Sequence, residues 1–288
     1  MYRESVTWKP MTLAVETERL TLRLRDERDA AWYRELVGER GEDMPTLEEA
    51  TARLARFRDL TIETGIGALA ICRREEGDVI GYCALVVGRS SLDEPEIAYE
   101  LLRRFHGHGY ATEAARALVD RELEWASTHG RKLPAFVEVG VMLEAPALAW
   151  CIPELKGRAD FLSIGTNDLM QYFFAADRNN ARVSDRYDIL SAPALRFLGR
   201  IREDADAAGL PVSICGEAAG RPLEALAFTA LGFRRLSMPA SGIGPVKRLI
   251  LSADARAAEK AVSRMLLSGS PSIRDELTEF AAEHGCAL

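Results

Sequence analysis

No two cysteines in this sequence are spaced as CxxC. The five present, Cys72, Cys83, Cys151, Cys215 and Cys286, are scattered along the chain. Such spacing fits reduced thiols in a cytoplasmic setting better than a disulfide framework or a zinc site. Histidine is scarcer, with four residues at 106, 108, 129 and 284. His106 and His108 are close, but no second cluster faces them in sequence, so metal ligation by them is not expected. No apolar stretch reaches the roughly 18 residues that a membrane helix needs. The opening "MYRESVTWKPMTL" lacks the continuous apolar core of a signal peptide. An excess of positive charge is also missing: 37 Lys and Arg against 44 Asp and Glu leave a formal net charge of -7. A broad nucleic-acid-binding surface is therefore not expected, nor is a membrane partner. Nor is there a low-complexity linker, or a short repeat that would signal a solenoid.

What is present is enough chain for two modest domains: 288 residues, 48% of them hydrophobic and 28% charged, as in ordinary soluble globular proteins. "ETERLTLRLR" (16–25) alternates apolar and polar residues and predicts a strand. "DERDAAWYRELVGER" predicts a helix behind Asp26, and Thr46 stands three residues before Glu49 as in a capping box. "IGALAICRREEGDVIGYCALVVGR" predicts an antiparallel hairpin around Glu-Gly-Asp. "EPEIAYELLRRF" is the next strand, running into a long helix that ends at His129-Gly130. From Leu133 the style changes to strand, loop and helix in alternation, the signature of parallel βα units. Candidate strands are 135–144, 160–168, 210–217 and 233–240. Candidate helices are 146–156, 168–176, 191–208, 221–231 and 243–266, with a last one in "SIRDELTEFAAEHG".

In the first half, "RRFHGHGYATEAARALV" places Arg104, Gly107 and Gly109 between a strand and a helix. Glycines there permit a tight turn and close approach of a ligand, and the helix start behind them offers free N–H groups suited to a pyrophosphate. A plain glycine turn with a satisfied helix start is the alternative. Together with "TERLTLRLR" and "VIGYCALVV", this stretch resembles the GNAT N-acetyltransferases, the ribosomal-protein type in particular, over roughly residues 11–130. The resemblance implies acetyl-CoA as cosubstrate. Its pyrophosphate would be cradled near Arg104 by Gly107, His108, Gly109, Tyr110 and Ala111, and its pantetheine arm would pair at Leu101 and Leu102. Glu96 or Glu100 is the implied candidate for deprotonating an amine. The family's usual continuation, a fifth strand and an Asn-containing loop, is replaced here by "KLPAFVEVGVMLEAPALAW".

The second half carries "GVMLEAPALAW", "DFLSIGTNDLMQYFFAADRNN", "VSDRYDILS", "PVSICGEAAGRPLEAL" and "RRLSMPASGIGPVKRLI". Each polar cluster falls at the carboxyl end of a predicted parallel strand, the face where (βα) barrels bind ligands. These five ordered motifs resemble the phosphoenolpyruvate-protein phosphotransferases, enzyme I of the phosphotransferase system in its nitrogen-branch form, over residues 133–288. The resemblance implies that Glu144 and Asp168 hold Mg²⁺ and that Asn167 and Arg178 bind phosphoenolpyruvate. Cys215 would exchange a proton with the enolate carbon. Ala218 stands where the family has Met, and Ala181 where it has Pro.

The expected architecture is α/β: a GNAT-like mixed sheet with helices over 1–132, joined to a (βα)4 half of a TIM barrel over 133–288. A shared strand–helix–strand unit is the expected junction, with "AFVEVGVML" pairing beside "EIAYELL". Unpaired edges of a half-barrel would otherwise invite a homodimer. The phosphoryl-accepting histidine of the resembled family sits in a Gly-rich Thr-Ser-His setting, and none of the four histidines has it. The leading expectation is a phosphoenolpyruvate-protein phosphotransferase relative that retains part of a Mg²⁺–phosphoenolpyruvate site but does not complete phosphotransfer alone. The alternatives are an acetyl-CoA-dependent N-acetyltransferase and a catalytically inactive recombined or engineered chimera.

Overall fold

Period-two alternation at Leu20 and Leu22, and again through 68–73, builds a sheet with two apolar faces. The computed structural model describes residues 14–87, 96–180, 182–183 and 188–287. Ala181 and residues 184–187 of "VSDRYDILS" lie outside them. Two compact units divide the chain, Met1–Ala135 and Phe136–Leu288.

In the first unit β1 (Ala14–Glu16), β2 (Leu20–Leu24), β3 (Ala68–Arg73), β4 (Val79–Val86) and β5 (Glu96–Leu101) pair in sequence order. Every neighbouring pair is antiparallel. The strand expected over 16–25 is broken by a turn at 17–19, where the Thr17 amide donates to the Leu20 carbonyl. One sheet face buries Leu20, Leu22, Leu69 and Ile71 with Ala114 and Leu118 of α3 (Tyr110–Thr128). The other buries Ala70 and Cys72 with Trp32 and Leu36 of α1 (Ala30–Glu39) and Leu54 of α2 (Leu47–Thr64). The capping box at the start of α2 forms as expected. Thr46 Oγ1 accepts from the Glu49 amide at 3.2 Å, and Glu49 Oε2 accepts from the Thr46 amide at 2.8 Å.

Gly81 in β4 is required by close packing. A Cβ there would stand 2.1 Å from the Glu100 carbonyl oxygen and 2.7 Å from Leu101 Cδ2. The first obstacle is backbone, so the β4–β5 pair must shift. Gly81→Ala is expected to cost about 1–3 kcal/mol, the range for overpacking a close-packed site, read as a lowered urea midpoint.

The second unit is a parallel sheet in sequence order: β6 (Gly140–Leu143), β7 (Phe161–Gly165), β8 (Val212–Cys215) and β9 (Leu236–Ser237). Its helices are α4 (Thr166–Phe174), α5 (Ala192–Ala208), α6 (Pro222–Ala230), α7 (Ala240–Ser252), α8 (Ala255–Met265) and α9 (Arg274–Glu283). Phe228, Phe233, Leu195, Leu198 and Ile214 centre its core. Several expectations are corrected here. The strand expected over 135–144 is only four residues, because β7 begins at Phe161 and offers Gly140 the first register partner. Before that point the Asp160 carboxylate takes the Val139 amide at 2.7 Å, and Phe136 is 74% exposed. The strand expected over 233–240 is reduced to two residues. The helix expected over 146–156 is two short 3-10 turns, each started by a proline, Pro146 or Pro153, that lacks an amide donor. The helix expected over 243–266 is split at Ala253, and Asp254 caps the second piece through the amides of Arg256 and Ala257.

The shared strand–helix–strand junction is not formed. Among the described residues β5 pairs with β4 and β6 with β7, in two separate sheets. The stretch between α3 and Gly140 contains no strand that could continue the first sheet. Among the described residues no helix is long and apolar enough to cross a membrane.

Candidate functional site

Register in the second unit decides which polar groups meet. Leu143 pairs with Ile164, and Gly165 pairs with Cys215. Glu144, Gly165 and Cys215 therefore end three adjacent parallel strands on one edge. The glycine between the other two is needed for space: a Cβ on Gly165 would lie 2.7 Å from Glu144 Cγ. The Glu144 side chain thus passes across the end of β7. Asn167 and Asp168 follow in the first turn of α4, whose start has no side-chain cap. An acidic residue in that turn also suits the positive end of the helix.

On β8 the Cys215 carbonyl accepts from Thr166 Oγ1 at 2.7 Å, and the Cys215 thiol points to the Ile164 carbonyl at 3.3 Å. Gly216 follows with φ +116°, ψ 174°, a region essentially confined to glycine. A Cβ on it would stand 2.4 Å from Thr166 Oγ1 and 3.0 Å from Asn167 Oδ1. The five expected residues are thus placed together as follows: Glu144, Asn167, Asp168 and Cys215 at neighbouring strand ends, and Arg178 reaching back with Nη2 3.7 Å from Asp168 Oδ1. That distance is a loose ion pair, and both side chains remain partly exposed. Glu144 and Asp168 are hard oxygen donors of the kind Mg²⁺ accepts, with the remaining octahedral positions left for water and ligand oxygens. Among the described residues no group of three or more His, Cys, Asp or Glu side chains could hold a metal by itself.

Three residues that hold this unit together were not singled out from the sequence. Arg274 at the start of α9 donates to both Asp188 oxygens, at 2.7 and 3.0 Å, and to Glu224 Oε1 at 2.9 Å. Ser272 Oγ and the Leu190 amide complete the shell of Asp188. Burial pushes the Asp188 carboxyl up, but these donors outweigh it and hold it below the usual carboxylate range. Glu224 is 2% exposed. The only signal for this network was the "SDRYD" motif itself, because Ser272 and Arg274 lie 84 and 86 residues from Asp188.

In the first unit the glycine loop borders a cavity of about 600 Å³ lined by Tyr99, Leu101, His106, Gly107, Gly109 and Tyr110, among others. Gly107 and Gly109 have φ of +80° and +78°, and a Cβ on Gly107 would meet nothing within 4 Å, so the loop there is open to a ligand. Gly109 begins α3 without a side-chain cap, so the amides of Tyr110 and Ala111 have no cap from that residue. His108 contributes its backbone to the turn: its carbonyl accepts from Arg19 Nη1 at 3.0 Å, while its ring stacks on Tyr110. Arg19 also lies 4.7 Å from the Tyr110 ring centroid and is paired with Glu113. Burial raises the Glu113 carboxyl, but bonds from Thr17 and Arg19 more than offset this and hold it low. That clamp fixes the loop to β2.

Three expected residues are absent from the cavity lining: His108, Leu102 and Arg104. Leu102 is fully buried, with its amide on the Ile80 carbonyl and its carbonyl accepting from Phe105. The same bond sets the alternation along β5, so Tyr99 and Leu101 direct their backbone groups away from β4. The Leu101 carbonyl meets the His106 ring at 2.9 Å. Arg104 is turned toward Glu35 and is absent from the cavity lining. Of the two carboxylates proposed as a base, Glu100 is held by Arg40 Nε at 2.8 and 3.0 Å. Burial pushes the Cys83 thiol up to about 11, as befits a core residue.

The sequence profile of the PEP-utilising enzyme PEP-binding domain matches residues 111–255. That of the acetyltransferase (GNAT) domain matches 19–140. The two stretches overlap over 111–140, which contains nearly all of α3. A phosphoenolpyruvate-dependent phosphotransferase system protein of Salmonella typhimurium is 33% identical over 229 residues, covering 73% of this chain and 30% of that protein. A phosphoenolpyruvate-protein phosphotransferase of Cupriavidus necator is 34% identical over 164 residues, covering 57% and 28%. The chain thus spans under a third of the length of these relatives. Among solved structures, an acetyltransferase from Agrobacterium tumefaciens is 30% identical with a TM-score of 0.34, covering 44% of this chain and 74% of that one.

Proposed function

The chain belongs to the PEP-utilising enzymes through their PEP-binding domain, and from that premise we propose that its second unit binds phosphoenolpyruvate with Mg²⁺. It also carries a GNAT acetyltransferase domain. The observation that carries the proposal is the register of β6, β7 and β8, which sets Glu144, the Asn167–Asp168 turn and Cys215 side by side. Glu144 and Asp168 would hold the Mg²⁺, which supplies positive charge to a phosphoryl group. Arg178 presents a planar fork to phosphate or carboxylate oxygens, and Asn167 an amide donor. The Cys215 thiol stands on the neighbouring strand end, that of β8, as the group that could give a proton to an enolate carbon. The four parallel strands would form half of a (βα)8 barrel, and pairing of two copies would cover its edges.

Binding rather than complete transfer is the reading, because no histidine has the setting of the family's phosphoryl acceptor. Incubation with ³²P-phosphoenolpyruvate is therefore expected to leave histidine unlabelled. Thermal unfolding tests the binding. Phosphoenolpyruvate plus Mg²⁺ at ~100 times the dissociation constant should add about 2.7 kcal/mol of stability. No shift at any concentration, or an equal shift with Mg²⁺ chelated, overturns it.

A second reading has its own observation. The uncapped α3 start, the open Gly107–Gly109 turn and the outward backbone groups of Tyr99 and Leu101 line one cavity. This suits the pyrophosphate and amide-rich arm of acetyl-CoA. Acetyl-CoA in the same thermal assay should stabilise the first unit, and Gly107→Pro should remove the effect.

A further inference from the structure

The first unit has a second cavity, of about 530 Å³, beside α2 and the β3–β4 pair. Among the described residues its lining contains two guanidiniums, Arg25 and Arg40, and no carboxylate, although the chain as a whole has a formal net charge of -7. Arg40 is satisfied by Glu100. Arg25 is not. It is only 7% exposed, and among the described residues no hydrogen bond or ion pair joins it to a protein acceptor. Its Nε is buried without any partner.

The nearby carboxylates are already committed. Asp26 is bound by Arg28, and Asp29 takes the fork of Arg23 at 2.7 and 2.9 Å. What Arg25 has instead is two aromatic rings, with Cζ 5.4 Å from the Phe57 centroid and 5.1 Å from that of Tyr82. Rings stabilise the faces of a guanidinium, but they offer no acceptor for its in-plane N–H donors. A buried cation with unused donors is costly unless an anion completes it. Burial lowers the affinity of Arg25 for its proton, yet an arginine stays charged. Much of the remaining wall is apolar, with Leu60, Ile66 and Leu85 on it beside Tyr33, Thr61, Thr64 and Tyr82.

We infer that this cavity is a binding site for a small organic anion, a carboxylate on an apolar body. The carboxylate takes the Arg25 donors, and the apolar part lies against Leu60, Ile66 and Leu85. Arg40 lines both this cavity and the glycine-loop cavity, so the ligand adjoins the proposed acetyl-CoA site. Resting on the acetyl-CoA reading, the ligand is the acceptor, a carboxylate-bearing amine.

Calorimetric titration of the full chain with 4-phenylbutyrate and with its neutral amide, without acetyl-CoA, tests the binding site. The acid should bind roughly ten-fold tighter or more, as expected for a hydrogen-bonded charge pair. Arg25→Met keeps an unbranched apolar chain between the rings and should reduce the preference to about two-fold or less. Equal binding of acid and amide to the wild type overturns the inference, as does a preference that survives in Arg25→Met. Should that variant not fold, ¹⁵N spectra of the arginine side chains in the wild type decide. The Arg25 Nε signal should move with the acid and not with the amide, and an unmoved signal overturns the inference. Acetyl-CoA enters none of these readouts, so a failure here is distinct from failure of the acetyl-CoA reading.

Discussion

Arg274→Ala is expected to destabilise the second unit by about 2–3 kcal/mol: the guanidinium is itself partly exposed, but its loss leaves a buried carboxylate short of a donor. Two carboxylates depend on this guanidinium. Asp188 takes two of its bonds, and Glu224, almost wholly buried, takes a third. Without Arg274, the cation left to Glu224 among the described residues is Arg221, at 3.9 Å and mostly exposed. The mutation also unlatches α9 from the chain segment at Asp188. Denaturant titration should show the lowered midpoint, and a change under about 1 kcal/mol would mean that water replaces the guanidinium without cost.

The same network sets a pH dependence. Asp188 is held below its ordinary range when folded, so the unfolded chain binds its proton more readily than the folded one. Its contribution is complete above the unfolded value of about 3.9 and is lost as pH falls through the lower folded value. In Arg274→Ala the burial that raises the Asp188 carboxyl is no longer opposed by that guanidinium. The stability gap between wild type and variant should therefore narrow as the pH is lowered below about 4. A gap that is constant over this range would show that the Arg274 effect is packing and not charge.

Gly216→Ala is expected to abolish the stabilisation by phosphoenolpyruvate and Mg²⁺ and to cost about 1–3 kcal/mol in the free protein. The two effects share a cause. The backbone at φ +116° has no comfortable place for a Cβ, and that atom would press on Thr166 Oγ1 and Asn167 Oδ1. Thr166 tethers the start of α4 to the Cys215 carbonyl. Displacing it moves the Asn167–Asp168 turn away from Glu144. Gly209→Ala is the control. Its φ of +73° is also positive, but a Cβ there would meet nothing within 4 Å, and it caps the far end of α5. It should lose some stability and keep the ligand response. A Gly216→Ala protein that still responds fully to phosphoenolpyruvate and Mg²⁺ would remove the strand-end turn from the proposed site.

The motifs were legible because they are local. The apolar run ending in "GTND" delivers two polar residues to a helix start whatever surrounds it, and Thr46 and Glu49 close their capping box over three residues. Glycines at 107 and 109 likewise announce a turn before a helix. Side-chain direction was less legible: Arg104 belongs by spacing to the glycine loop, yet Glu35, on α1, draws it elsewhere. Leu102 belongs by position to a strand end, yet pairing with Ile80 buries it.

What the sequence by itself determined is the alternation of strands and helices, the change of style near Leu133, and the residue types at each turn. Periodicity and capping act over a few residues, and that range suffices for them. Only the tertiary structure decided that β5 pairs with β4 and β6 with β7, that β6 shrinks to Gly140–Leu143, and that Glu144 crosses Gly165. It alone matched Arg274 to Asp188 and Glu224, and left Arg25 between two rings with no carboxylate partner among the described residues. Strand register and ion-pair choice depend on which of several distant partners the packed fold brings to bonding distance at lowest free energy. The chain writes no periodic signal for that competition.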